Sequence, residues 1–311
     1  MNRPGVVRGE PVEAVTQLEL WMADEPDVPV DIARTALYTA AELYGHGAYA
    51  DSLDACAYAW SLQPRTRAAT LARALHDHSV DLALESWVEG RRLVGVMGGH
   101  RLERGSSGYT DAARLGALLG RDHVVATGGG PGAMEAANLG GRLAGHPEDL
   151  GAALQLLAGV PSYHSDTGAW AQRAFEVLDR FPGDRDTLRD SLGIPTWHYG
   201  HEPPNVFASA IAKYFRNSTR EATLLQVCDA GIVFLPGLAG TVQEVFQDAC
   251  ENYYADESAL APMVLVGRTY WTEELPGWPL LRSLARGTAM EPHVHLVDSV
   301  DEAANLLVSG T

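Results

Sequence analysis

Val233-Phe234-Leu235-Pro236-Gly237-Leu238-Ala239-Gly240-Thr241-Val242-Gln243-Glu244 reads as an apolar strand running straight into a glycine turn and then a helix. Residues 231–235 form a short continuous apolar run, the mark of a strand buried on both faces. The Pro-Gly-x-x-Gly-Thr turn aims backbone N–H groups and a hydroxyl at one point, which suits a phosphate. Glu244 follows in the first turn of the expected helix 241–254, a carboxylate close to whatever the turn holds. Thr241 and Glu244 also have capping-box spacing, in which each satisfies an orphan N–H of the helix start. That second reading accounts for the Thr and the Glu but not for the glycines before them. On the expected helix, Val242, Val245, Phe246, Ala249 and Tyr253 form the apolar face. Glu244, Gln247, Asp248 and Glu251 form the polar one.

The same grammar recurs upstream. Leu93–Met97 is an apolar run closed by Gly98-Gly99, with a helix expected over 109–119. Val124–Thr127 leads into Gly128-Gly129-Gly130-Pro131-Gly132-Ala133-Met134-Glu135-Ala136 and a helix through 143. Glycines let the backbone approach a ligand, and Pro131 suits a helix start whose free N–H groups face an anion. The turn departs from the Gly-x-Gly-x-x-Gly dinucleotide fingerprint. Further helices are expected over 150–157, 207–215 and 301–308, and further strands over Met263–Val266 and 295–297. Alternating strands and helices predict an α/β fold, a doubly wound parallel sheet of Rossmann-like type, with ligands at the carboxyl ends of the strands. Ahead of it, Ala33, Ala36, Leu37, Ala40, Leu43 and Tyr44, then Leu53, Cys56, Ala57 and Trp60, keep helical spacing. The expected division is a helical extension over 1–90 and a nucleotide-binding catalytic domain over 91–311.

A net charge of −17 over 311 residues argues against a nucleic-acid partner, because a basic face supplies most of that affinity. Any phosphate site must then be built locally. No apolar run approaches the roughly 20 residues that span a bilayer, so no membrane role is expected. Residues 1–10 lack the apolar core of a signal peptide. Cys56, Cys228 and Cys250 are widely spaced and form no Cys-x-x-Cys pair, which predicts reduced thiols in a cytoplasmic protein. His76-Asp77-His78 invites a metal reading, but positions i and i+2 of a helix do not share a face. Glu244 with Asp248 or Glu251 is the other metal arrangement open to the sequence. The expectation is no metal and no cofactor.

Arg216 and Arg220 are spaced i, i+4 and share a helical face, where they can anchor a phosphate or pair with neighbours such as Glu221. Trp197-His198-Tyr199-Gly200-His201-Glu202-Pro203-Pro204-Asn205 is dense in stacking and hydrogen-bonding groups. It reads either as a base pocket built on His198, Glu202 and Asn205 or as a buried aromatic corner.

The two glycine motifs, with Arg220 nine residues before Asp229, resemble the Lonely Guy family of cytokinin-activating phosphoribohydrolases. Glu202-Pro203-Pro204-Asn205 looks more like the larger bacterial purine/pyrimidine nucleoside 5′-monophosphate nucleosidases of the same superfamily. The resemblance covers about residues 91–300. It implies a hydrolase that splits the N-glycosidic bond of a nucleoside monophosphate, with Arg220 and Glu244 catalytic. It also implies phosphate or nucleotide binding by Gly98, Gly129, Gly130, Gly132, Met134, Glu135, Gly237, Gly240 and Thr241, and a homodimer or higher homo-oligomer. Three departures stand out. Leu238 occupies the third position of Pro-Gly-Gly, Glu221 stands where a lysine is usual, and Gly98-Gly99-His100 replaces Gly-Ser-Ser. The alternative is a nucleotide-binding or sensor protein of the same fold without catalysis. Decarboxylation through a cofactor-bearing lysine is disfavoured, because Lys213 is the only lysine and no cofactor-lysine motif surrounds it.

Overall fold

A computed structural model of the protein describes residues 27–183, 188–198 and 202–308. Residues 1–26 of the expected helical extension, and Tyr199, Gly200 and His201 of the aromatic loop, lie outside them. Seven strands form one parallel sheet: Leu93–Met97 (β1), Val124–Thr127 (β2), Ser191–Gly193 (β3), Ala210–Ile211 (β4), Ile232–Phe234 (β5), Met263–Val266 (β6) and Val294–Val297 (β7). Their order is β4-β3-β2-β1-β5-β6-β7, with every neighbouring pair parallel. The chain winds outward from β1 to β4, then returns to the far side of β1 as β5. The winding direction therefore reverses between β1 and β5, and a crevice opens there beyond the carboxyl ends of the strands. β1, β5 and β6 are buried throughout, which is why each reads as an unbroken apolar run.

Helices Ser107–Leu119 and Ala133–Arg142 pack backbone to backbone on the sheet. A Cβ at Gly116 would run into the Ala137 carbonyl, and one at Gly140 into the Ala113 carbonyl. Glycine inside a helix costs about 1 kcal/mol against alanine, and here it permits this contact. Among the described residues no helix is long and apolar enough to cross a membrane.

The expected helix 207–215 is absent. Ala210–Ile211 is strand β4, and the helix starts at Asn217. Nearly every residue from 203 to 215 is buried, and a run buried on all sides has no period to tell a strand from a helix. The helix expected over 241–254 begins earlier, at Ala239, which puts Glu244 in its second turn. Its N-cap residue is Leu238, with no side-chain cap bond, so the capping box does not form. The buried stripe is Thr241, Glu244, Val245, Asp248, Ala249 and Asn252, while Tyr253 is 42% exposed. Glu244 and Asp248 thus point inward, against the face expected from the pattern, because the helix lies over a polar crevice as well as over apolar core.

Helices Ala40–Tyr44, Leu53–Ser61 and Arg67–Val88 precede the sheet and dock on its β4 edge. Tyr38 makes an antiparallel bridge to Ile211 and covers that edge. Asp54 gathers three donors: Lys213 Nζ at 2.5 Å, Trp197 Nε1 at 2.8 Å and the Tyr49 hydroxyl at 2.6 Å. Lys213 is buried, and burial pulls its pKa down from the ordinary lysine value against the opposing pull of Asp54. His76 is buried between the Tyr38 hydroxyl and Asp77. Asp77 in turn accepts from the backbone N–H groups of Phe215 and Arg216, both at 2.9 Å. His76-Asp77 is therefore a brace between the early helices and the segment leading to Arg220.

Candidate functional site

A cleft of about 440 Å³ lies at the switch between β1 and β5. Each wall continues a strand end: Gly98, Gly99 and His100 after β1, Gly128, Gly130 and Met134 after β2, Pro195 and Thr196 after β3, and residues 238–241 with Gln243 and Glu244 after β5. Arg220 and Glu221 enter from helix Asn217–Gln226.

Arg220 is fixed by its Nε, which donates to the Ile194 carbonyl at 2.6 Å. Gly128 makes room for it, since a Cβ there would collide with the guanidinium. Arg220 Nη1 lies 2.8 Å from Glu221 Oε1 and 3.6 Å from Glu244 Oε1. One guanidinium thus faces two carboxylates inside the cleft. The second Glu221 oxygen is buried and has no hydrogen-bond partner among the described residues. Glu244 is 8% exposed. Burial raises its pKa from 4.5 to about 7, Arg220 pulls it down, and Glu221 pushes it up. One turn on, burial raises Asp248 to about 8, with Glu251 adding to the rise.

The β5 turn is built as a cradle. Gly237 lacks a side chain where Thr241 packs against it. Its carbonyl accepts from the Tyr270 hydroxyl at 2.7 Å, so the turn is tied from outside. Thr241 and Gly240 line the cleft, and a Cβ at Gly240 would meet only open space. Leu238 also lines it, 57% exposed, with φ −93° and ψ −145°. That conformation needs no glycine, so a leucine at this position places a methyl-bearing side chain at the rim without backbone strain.

The β2 turn is held from below. Gly129 and Gly132 have φ of 72°, the left-handed region that favours glycine. Gly129 packs on Pro195 and Gly132 on the backbone of Gly99 and His100, so both shape the turn and neither lines the cleft. Asn205 is fully buried: its N–H donates to the Gly129 carbonyl at 2.8 Å and its Nδ2 to the Gly130 carbonyl at 3.2 Å. Asn205 therefore clamps the turn and is not on the cleft wall. Glu202 does reach the cleft, 3.6 Å from His100 Nδ1. His198 lines a separate cavity. Glu135 lies away from the cleft, sealed in the core: Arg104 Nε and the Tyr109 hydroxyl donate to it at 3.0 and 2.8 Å, and Arg104 Nη2 also binds it. Gly98, Gly130, Met134, Gly240, Thr241, Arg220 and Glu244 are brought together as expected of one site.

Sequence reasoning names Glu221 as a salt-bridge neighbour and, with His100, as a departure from the family pattern, but places neither in the site; it passes over Arg101 and Gln243, which the fold also brings to the cleft. The signal for Glu221 was its place beside Arg220, together with Asn217 at i−4, whose Nδ2 donates to it at 3.3 Å. Among the described residues Glu244, Asp248 and Glu251 do not converge as a metal-holding group; His146, Glu148 and Asp149 do, elsewhere on the surface.

No known protein-family model matches the sequence, and no curated protein matches it. Among solved structures the chain is similar to the molybdenum cofactor binding protein from the phototrophic bacterium Rippkaea orientalis. The identity is 17% and the TM-score 0.42, over 70% of this chain and 96% of that one. It is likewise similar to the molybdenum cofactor (Moco) carrier protein from Chlamydomonas reinhardtii, at 17% identity and a TM-score of 0.42, over 71% of this chain and 99% of that one.

Proposed function

We propose that the chain hydrolyses the N-glycosidic bond of a nucleoside 5′-monophosphate, releasing the free base and ribose 5-phosphate. The observation that carries this reading is the buried Glu244 carboxyl, titrating near 7 and 3.6 Å from Arg220, in the same cleft as the Gly240-Thr241 turn. The 5′-phosphate sits on the N–H groups and hydroxyl of that turn, at the start of helix Ala239–Tyr254. Holding the phosphate places C1′ near Glu244 and uses remote binding energy for orientation. Ionised Glu244 stabilises the positive charge that develops on the sugar and takes a proton from the attacking water. The water oxygen bonds to C1′ as the C1′–N bond breaks, the electron pair leaves with the base, and the base takes up the proton that Glu244 removed from the water. Arg220 holds Glu244 in position and donates to the leaving base. Glu202 and His100 form the polar wall against which that base is read.

A carboxyl with a pKa of about 7 suits this task, because a general base works best near the operating pH. Binding without turnover is the second reading. It is favoured by Leu238, whose exposed side chain stands at the rim of the phosphate turn. Incubation of the purified protein with AMP, GMP, CMP, UMP and IMP, followed by chromatography, separates the two. Free base and ribose 5-phosphate from wild type, absent from Glu244→Ala, are the expected result. Nucleotide-dependent thermal stabilisation with no base released from any of the five supports the binding-only reading instead.

A further inference from the structure

A second cavity, also of about 440 Å³, opens where residues 65–77 meet the start of helix Asn217–Gln226. Arg65, Arg73 and Arg216 all line it. Three arginines on one small concave surface stand out in a chain of net charge −17. Among the described residues the one carboxylate on the wall, Asp77, is already occupied. Its Oδ1 lies 3.0 Å from His76 Nδ1 and accepts from the Phe215 N–H, while its Oδ2 accepts from the Arg216 N–H.

The arginines differ in how they are held. Arg73 Nη2 donates to the Trp60 and Ser61 carbonyls at 3.3 and 3.2 Å, and its guanidinium lies 4.7 Å over the Trp60 ring. Arg65 and Arg216 are exposed and, among the described residues, enter no ion pair. Arg216 directly precedes the helix, whose first turn adds a positive dipole end and the Ser218 hydroxyl to the same wall. Guanidinium groups match phosphate oxygens in paired hydrogen bonds, and the volume lies in the range of small-molecule pockets.

We infer that this cavity is a second anion site, separate from the cleft, that takes a phosphate-bearing ligand. It is walled jointly by the early helical segment and the sheet domain, so an occupant bridges the two. It also adjoins the cleft: Gln243 lines both cavities, and Arg216 lies one helical turn before Arg220. The chemistry is common to inorganic diphosphate and to the diphosphate of a nucleotide, and the test distinguishes the two.

Isothermal titration of the full-length protein with pyrophosphate and, separately, with ADP supplies that test. It compares wild type, Arg65→Ala/Arg216→Ala and Arg220→Ala. Wild type and Arg220→Ala are expected to bind. The double variant is expected to bind at least about tenfold more weakly, on the scale of one or more lost charge-assisted hydrogen bonds. Both substitutions fall on exposed side chains, and Arg65→Glu alone is expected to weaken binding in the same direction. Tighter binding of ADP than of pyrophosphate assigns a nucleotide; equal or tighter binding of pyrophosphate assigns the free anion. Affinity unchanged in the double variant, affinity lost in Arg220→Ala, or no binding by wild type at millimolar concentration overturns the inference. Arg65 and Arg216 line this cavity and Arg220 the cleft, so comparing the double variant with Arg220→Ala separates the two sites whether or not the cleft hydrolyses nucleotides.

Discussion

Replacing Glu244 with glutamine should make the protein more stable, and increasingly so as the pH rises. A carboxyl that titrates at about 7 when folded and near 4.5 when unfolded resists ionisation in the native state. Below about 4.5 it is protonated in both states and costs nothing. Between 4.5 and 7 the unfolded chain releases its proton while the folded chain keeps it, so stability falls as the pH rises. Above 7 the loss is complete, at about 3 kcal/mol. That figure already includes the favourable pull of Arg220, because the value of about 7 does. Glutamine has nearly the same shape and carries no charge to desolvate. Wild type and Glu244→Gln should therefore melt together at pH 4.5 and part progressively towards pH 8, where the variant should melt higher by roughly 5 °C or more. Thermal unfolding in a constant-ionic-strength buffer series measures this directly. A gap that stays constant with pH, or closes as pH rises, would show that Glu244 is an ordinary ionised carboxylate. Glu244 would then lack the raised pKa that suits it to act as a general base near pH 7.

Other perturbations probe other parts of the structure. Asp248→Asn should act in the same direction as Glu244→Gln, but with its transition centred higher, because burial and Glu251 hold Asp248 at about 8; the same pH series reads it. Lys213→Met leaves Asp54 charged and buried and should cost about 3–5 kcal/mol in chemical denaturation. Adding Asp54→Asn should restore part of that loss, whereas simple additivity would show that the pair is not coupled. Gly128→Ala should displace the Arg220 guanidinium and lower base release with little change in melting temperature; unaltered turnover would mean that the position of Arg220 is not critical.

The centre of the sheet was legible because β1, β2 and β5 each end in glycines that no apolar helix would carry at that spacing. β3 and β4 were not, being only 3 and 2 residues long and buried on both faces, without a readable period. Of the site, Arg220, Glu244, Gly240 and Thr241 were read correctly as neighbours because the turn and the helices on either side of β5 are local. Glu135 was misplaced because its direction is set by Arg104, 31 residues away. Asn205 was read as a contact residue, but its side chain is spent on the Gly130 carbonyl, 75 residues distant. The docking of the early helices through Asp54, Asp77 and Tyr38 is likewise a set of long-range pairings, which helical periodicity alone does not encode.

The measurement closest to the central claim is the rate of base release from nucleoside monophosphates between pH 5 and 9, for wild type and Glu244→Gln. The account predicts a wild-type rate that climbs about tenfold per pH unit up to about 7 and then levels, as the Glu244 carboxyl ionises. Glu244→Gln should release no base at any pH. Base release by the variant at the wild-type rate, or no release by wild type across the whole range, would contradict it.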